Sequence, residues 1–471
     1  MADHPRSAHR TPVALLLLLA LLLPLLAACG GAAVKTVAPL PIPTSIPAEA
    51  GPAGSIAAAP TAAPALSAPA APLVSPAGAP EAAAASKAGD SAALIVPAAT
   101  MAPAAAGVAQ LPTPAPRPND QQQYLPLKAG EVDDNGDFAT YLEYLRSYSG
   151  PPARQVDVEE RYILTVTNGR QQPVLDARVR LFDGQQQVFD GRTYAGGKTI
   201  VFPRALGISE NARTLRVLVD KGNSAAEGTL TRGQDNTQSF VLRDAEALPA
   251  RPRLDVLFLL DATGSMGDEI AQIQQTIASI AERIDQIQPR PDLRFGLVAY
   301  RDRGDEYVTR VDDFTPDVAA FQQRLLATAA DGGGDEPESL NEALHAAVQR
   351  VSWADDAVRL VFLVADAPPH LDYQQDYDYV RESQVAVAKG VKVYTIAASN
   401  SGDQAEYVFR QIAQQTLARF IFLTYQPGQS GGAPGDTTTH HVDPAQFSVE
   451  RLDDLVVQVV QRELAQAQGV A

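Results

Sequence analysis

An α/β protein built on a doubly wound, mostly parallel sheet is the fold class this sequence predicts, with a smaller all-β sandwich ahead of it. Three observations carry the prediction. Residues 251–466 alternate strand-length apolar runs with helical stripes. Residues 156–250 switch to a period of two, punctuated by turn dipeptides. Residues 31–118 hold neither pattern: Ala and Pro fill more than half of the positions and no aromatic residue occurs.

The elements follow in chain order. Residues 1–28 place Arg6 and Arg10 before the apolar run Val13 to Leu26, then small residues. A basic start, a short apolar core and a small-residue end make a secretory signal, too short for a stable membrane span. Leu26-Ala27-Ala28-Cys29-Gly30 resembles the lipobox of bacterial lipoproteins, and Cys29 is the only cysteine of the chain. The resemblance implies cleavage before Cys29 and lipidation of its sulfur. Two or more acyl chains anchor where one does not, so the expected location is extracytoplasmic, lipid-anchored to a bacterial cell membrane. Residues 29–118 then read as a disordered, Ala/Pro-rich stalk, because recurrent prolines stop helices and too few large apolar groups offset the ordering entropy.

Residues 119–155 read as a short helical or irregular segment, with a helix at Asp137 to Leu145. Asp133, Asn135 and Asp137 alternate as in half of a calcium loop, but the glycine expected next is Phe138, so they read as acids at a helix N-terminus. From Val156 the strands are short. Tyr162, Leu164 and Val166 alternate before Asn168-Gly169; Ala177, Val179 and Leu181 alternate before Asp183-Gly184. Val188-Phe189, Thr199 to Phe202, Leu215 to Val219 and Phe240 to Leu242 complete the series. The spacing predicts a β-sandwich over 156–250. The stretch Pro173 to Phe202 resembles the prealbumin-like repeat of surface proteins. No catalytic constellation stands out in it, so a spacer or a minor binding face is the expected role.

In residues 251–466 the run Leu254 to Leu260 suits a strand buried on both faces. Ile270, Ile273, Ile277, Ile280, Ile284 and Ile287 then step by three and four, one apolar helix stripe. Further strands are expected at Leu293–Arg301, Val358–Ala365, Val391–Ala397 and Phe420–Tyr425. Helices are expected near Val318–Ala329, Ser339–Trp353, Tyr377–Lys389 and Gln404–Gln415, with a last one from about Ser448 to Leu464. In such a sheet, ligands bind beyond the carboxyl ends of the strands.

Asp261-Ala262-Thr263-Gly264-Ser265 sits at such an end. A carboxylate with hydroxyls two and four residues on places three hard oxygens on one loop, the donor type magnesium takes in its octahedron. Asp335 lies on a glycine loop before a helix, and Asp366 ends the run Leu360 to Ala365. These motifs, in this order, resemble the von Willebrand factor type A domain and its metal ion-dependent adhesion site, over about 215 residues. The resemblance implies one Mg2+ ion (or Mn2+ or Ca2+) held by Asp261, Thr263, Ser265, Asp335 and Asp366. It also implies a protein or surface-polymer partner whose acidic side chain completes the metal shell. Many members carry threonine where Asp335 stands. A direct Asp335 ligand adds one negative charge and makes the ion a poorer acceptor for an acidic partner.

Other residues have plainer readings. Asp268 and Glu269 match a second metal position of some members but read as first-turn acids of the isoleucine helix. His440, His441 and Asp443 read as part of a solvated loop, His370 as a residue lining the site, and Trp353 as helix-end packing. With 55 acidic against 38 basic residues, the formal charge is −17, and −15 of it falls in residues 251–471. Phosphate recognition needs the opposite sign, so no nucleic-acid partner is expected. The motifs contain no nucleophile–base pair. The expected function is a membrane-anchored binding protein and not an enzyme. A metal-dependent hydrolase using His370 and a purely structural envelope lipoprotein are the alternatives.

Overall fold

The computed structural model describes residues 127–268, 270–398, 401–424, 441–442 and 447–470. The signal segment, Cys29 and the Ala/Pro-rich stalk lie outside the described residues, as do Glu269, the side chain of Asp268, His440 and Asp443. Among the described residues no helix is long and apolar enough to cross a membrane.

The described chain begins with strand β1 (Lys128–Val132) and helix α1 (Phe138–Ser147). The acids before α1 act at its start. Asp133 Oδ1 accepts from the Asn135 and Gly136 amides, and Asp137 is the N-cap, accepting from Thr140 N at 3.4 Å.

Seven strands follow in two sheets. β2 (Tyr162–Asn168), β5 (Lys198–Val201) and β8 (Thr237–Leu242) form one, in the order β5-β2-β8. β3 (Arg178–Asp183), β4 (Gln186–Arg192), β6 (Thr214–Lys221) and β7 (Ser224–Thr231) form the other, in the order β4-β3-β6-β7. Leu164, Val166, Val179, Leu181, Val217 and Val219, every second residue of their strands, meet in one apolar core. β7 has no large apolar alternation, and only pairing with β6 reveals it.

The remaining elements are β9 (Arg253–Asp261), α2 (Ile270–Asp285), β10 (Asp292–Tyr300), β11 (Thr309–Thr315), α3 (Val318–Leu326), α4 (Leu340–His345), β12 (Ala357–Ala365), α5 (Tyr379–Ala388), β13 (Val391–Ala397), α6 (Asp403–Gln415), β14 (Phe420–Leu423), β15 (Glu450–Arg451) and α7 (Leu452–Gln468). They form an eight-stranded sheet in the order β11-β10-β9-β12-β13-β14-β1-β15. β10, β9, β12, β13 and β14 run parallel; β11 and β1 run antiparallel to them, and β15 pairs antiparallel with β1. β12 and β13 are buried at every residue, as the unbroken apolar runs require. The isoleucine stripe of α2 packs onto one face of the sheet, where Ile273, Ile277, Ile280 and Ile284 are all but inaccessible.

Two expectations need correction. Residues 119–155 do not form a separate segment before the α/β domain, and that domain does not begin at 251. β1 hydrogen-bonds antiparallel to β14 and β15, so the sandwich is inserted between the first strand of the large sheet and β9. The five-residue strand Lys-Ala-Gly-Glu-Val is too short and too weakly alternating to reveal itself before β14 is placed beside it. The last helix begins at Leu452 rather than Ser448, because Glu450–Arg451 pairs with β1 as β15.

The sandwich is fixed to the α/β domain by charge as well as packing. Asp176 makes a two-pronged ion pair with Arg359 of β12 (2.9 and 3.1 Å), both side chains being almost fully buried. It also accepts from the Asp356 amide at 3.0 Å. These partners hold the Asp176 carboxyl below its usual range despite the opposing effect of burial.

Candidate metal centre

β9 lies in the middle of the sheet with β10 on one side and β12 on the other. The chain therefore leaves adjacent strand ends in opposite directions, and a crevice opens between them. Asp261 is the last residue of β9, and Asp366 follows the last residue of β12. Both carboxylates thus reach the same end of the sheet by strand register alone.

The side chains join through hydroxyls. Asp261 Oδ1 accepts from the Thr263 amide (3.0 Å) and from Thr263 Oγ1 (2.7 Å), and Asp261 Oδ2 accepts from the Tyr300 hydroxyl (3.0 Å). Thr263 Oγ1 lies 3.1 Å from Ser265 Oγ, which donates to Asp366 Oδ1 at 3.1 Å. Asp261 and Thr263 are fully buried, Asp366 nearly so, and Ser265 is exposed. Four of the five residues expected at the site are thereby brought together in one chain of oxygens.

Asp335 is not among them. It stands exposed on the glycine loop, and among the described residues no hydrogen bond ties it to the other four. The acid that enters the cluster from this loop is Glu338, which is 2% exposed. Gly333 explains the geometry. It holds φ +63°, and a Cβ there would stand 2.5 Å from Glu338 Oε1 and 2.7 Å from Thr263 Cβ. Only a glycine lets the loop press Glu338 against Thr263. The loop is also docked by Gly264 N to Gly332 O and Asp331 N to Ala262 O, both 3.0 Å. Glu338 was missed because a glycine-rich run directs attention to its first acid. The one that turns inward stands three residues on, directly before the Ser339 that caps α4.

Two further acids close the rear. Asp302, just past β10, accepts from Ser339 Oγ at 2.8 Å, and Asp305 Oδ2 accepts from the amides of Asp302 (3.0 Å) and Gly333 (2.9 Å). His370 is buried beside them. Its Nδ1 lies 2.8 Å from Asp372 Oδ1, its Nε2 3.4 Å from Asp302 Oδ1, and its ring stacks on Tyr373 at 3.9 Å. The electrostatics reflect the crowding. Burial, then the charges of Asp261, Asp302, Asp305 and Asp366, push the Glu338 carboxyl up to about 9. Burial raises Asp261 to about 6, against the hydrogen bonds from Thr263 and Tyr300. Among the described residues Glu338 Oε2 is buried without a hydrogen-bond partner.

Among the described residues no three carboxylate, imidazole or thiol groups form a ligand cluster by themselves. Here half of the joined oxygens are hydroxyls, the mixed hard-oxygen set that suits Mg2+ with some retained waters. A dication fits these residues on two grounds: it would partner the orphaned Glu338 oxygen and offset carboxylates that otherwise repel. Asp261, Thr263, Ser265 and Asp366, with Glu338 beside them, are the residues that would hold it.

His441 stands apart from this centre. Its amide donates to the buried Glu406 at 2.9 Å and its ring is exposed. Trp353 packs at the helix end, its Nε1 donating to Ala347 O at 3.1 Å and its ring 4.7 Å from Phe314.

Fold and cluster together define a class of protein: a doubly wound domain that presents hard oxygens from the loops at its carboxyl strand ends. The particular kind is given by residues 255–425, which match the family model of the von Willebrand factor A domain, so the chain contains such a domain. Alpha-protein kinase vwkA of Dictyostelium discoideum is 26% identical over 159 residues, which are 32% of this chain and 25% of that protein. Von Willebrand factor A domain-containing protein 7 of Rattus norvegicus is 33% identical over 141 residues, 30% of this chain and 14% of that protein. Among solved structures, BatB of Bacteroides thetaiotaomicron aligns over 46% of this chain and 99% of its own, with a TM-score of 0.31 and 12% identity. The chain spans a quarter or less of the length of these two curated relatives.

Proposed function

We propose that the chain is a lipid-tethered, extracytoplasmic binding protein that docks a partner through one divalent cation. Asp261, Thr263, Ser265 and Asp366 hold the ion, Glu338 supplies the third carboxylate, and Cys29 carries the lipid. The observation that supports this most is the hydroxyl-bridged run from Asp261 to Asp366 with the unpartnered, buried Glu338 oxygen beside it. A bound dication supplies an electrophilic position for an oxygen ligand from outside. The protein's own groups orient it: Tyr300 and Thr263 fix the Asp261 carboxylate, and Ser265 is exposed to solvent. The partner is a protein or surface polymer bearing a carboxylate. Its affinity is limited by the third protein carboxylate, a role that passes from Asp335 to Glu338.

Calorimetric titration of Mg2+ into the protein, paired with capture from envelope extracts with and without chelator, tests the reading. Saturable Mg2+ binding and a partner that is lost both with chelator and in Asp261→Ala are expected. Equal capture in every condition overturns metal-dependent docking. Recovery of wild type and Cys29→Ala in the same membrane fraction overturns the lipid tether.

A further inference from the structure

The seam between the sandwich and the α/β domain contains a cavity that the metal reading does not use. Its volume is about 290 Å3. Phe189, Ile200, Phe202 and Leu206 line it from the sandwich side, and Val385 and Val387 from α5. The walls are thus apolar, at a junction between two folded parts, where small-ligand sites gather.

Beside the neutral Ser383, Gln384 and Gln415, its charged groups are two. Asp190 is its one acid, and Arg178 already holds that carboxylate by two hydrogen bonds. Arg381 is its one cation. It stands on α5 four residues before Val385 and seven before Ala388, so the three share a helix face directed at the cavity. The acids nearest to Arg381 in sequence are engaged elsewhere: Asp378 pairs with Arg154, and Glu382 accepts from Gln349 and meets His345. Among the described residues Arg381 has no ion-pair partner, and its side chain is exposed. A largely apolar chamber with one water-exposed guanidinium free of an ion-pair partner at its mouth is complementary to a ligand with an alkyl tail and an anionic head.

We propose that this seam binds a small amphiphile of that class, a free medium-chain carboxylate, with the tail among Phe189, Phe202 and Val385 and the head on Arg381. The size selects this occupant. The volume lies at the lower end of the roughly 300–1,000 Å3 typical of ligand pockets, enough for one short chain and too little for a helix of a partner protein.

Octanoate, decanoate and dodecanoate, each kept below its micelle threshold, are titrated into the full chain by calorimetry. Affinity rises about fourfold per added methylene until the cavity is full. Arg381→Gln, an exposed change that spares the fold, weakens decanoate about tenfold and leaves decanol unchanged. Val385→Trp, which fills the chamber, abolishes both. Should that variant fail to fold, Ala388→Leu blocks the same space from the same helix face. Uptake that never saturates, or decanoate binding indifferent to Arg381→Gln and to both filling variants, overturns the proposal.

Discussion

Glu338 and Asp335 sit three residues apart on one glycine loop, and their surroundings separate them. Glu338 is buried against four aspartates, whereas Asp335 faces water. Glu338→Gln is therefore expected to weaken Mg2+ binding by about a hundredfold or more, since even outer-shell partners of a metal are worth roughly ten- to a hundredfold. Asp335→Asn should change it by less than about threefold, and calorimetry compares the two directly. A pH dependence follows with a definite sign. The Glu338 carboxyl is raised from 4.5 to about 9 in the folded protein without cation. Its contribution to stability is thus full below pH 4.5 and is lost as the pH rises toward 9. In chelator, the melting temperature of wild type should fall relative to Glu338→Gln across that window. Saturating Mg2+ should shrink the difference, because a cation favours the ionised form. A parallel course of the two proteins in chelator would contradict the assignment. At this scale the sequence was legible at Asp261, Thr263, Ser265 and Asp366, which lie at or just beyond strand ends. It was not legible at Glu338, whose inward turn depends on Gly333 adopting a positive φ against Thr263.

Among the elements, strands buried on both faces and the α2 stripe were readable because their periods are set by the local chain. The sheet's outer strands were not. β11 (Thr-Arg-Val-Asp-Asp-Phe-Thr) and β1 are mostly polar or short, and their pairing partners define them. The join between sandwich and sheet is likewise tertiary. Asp176→Ala leaves the Arg359 guanidinium buried without its main partner, and a loss of about 3–5 kcal/mol is expected. Denaturant unfolding of the variant measures it. A loss below about 1 kcal/mol would mean that solvent or Asp356 compensates. Truncating the α2 stripe by Ile277→Ala should cost roughly 2–5 kcal/mol through the cavity it opens. Comparing the two variants separates anchoring of the sandwich from packing of the sheet.

On the scale of the molecule, the insertion of the sandwich changes what a minimal domain is. A fragment of residues 251–471 lacks β1, so β14 loses its antiparallel neighbour and exposes an unpaired edge. It also lacks Asp134, which holds the buried Arg410 by two hydrogen bonds, the shorter 2.5 Å. That fragment is expected to aggregate or melt well below a fragment of residues 127–471, as light scattering and calorimetry would show. The larger fragment should unfold in one transition, because Val387 of α5 belongs to the sandwich core and Asp176 of the sandwich to the base of β12. Equal melting of the two fragments would overturn the role of β1.

Taken alone, the sequence determined the doubly wound class, the order of the buried strands and helices, and four of the oxygens at the candidate metal centre. These follow from local periodicity and from the position of acids at strand ends, which need no knowledge of distant residues. Tertiary structure decided the rest: that β1 joins the sheet between β14 and β15 from 120 residues upstream of β9, that Asp176 binds Arg359, and that Glu338 rather than Asp335 turns inward. Each depends on a hydrogen bond, an ion pair or a backbone approach between segments far apart in the chain, and no local pattern encodes such a meeting.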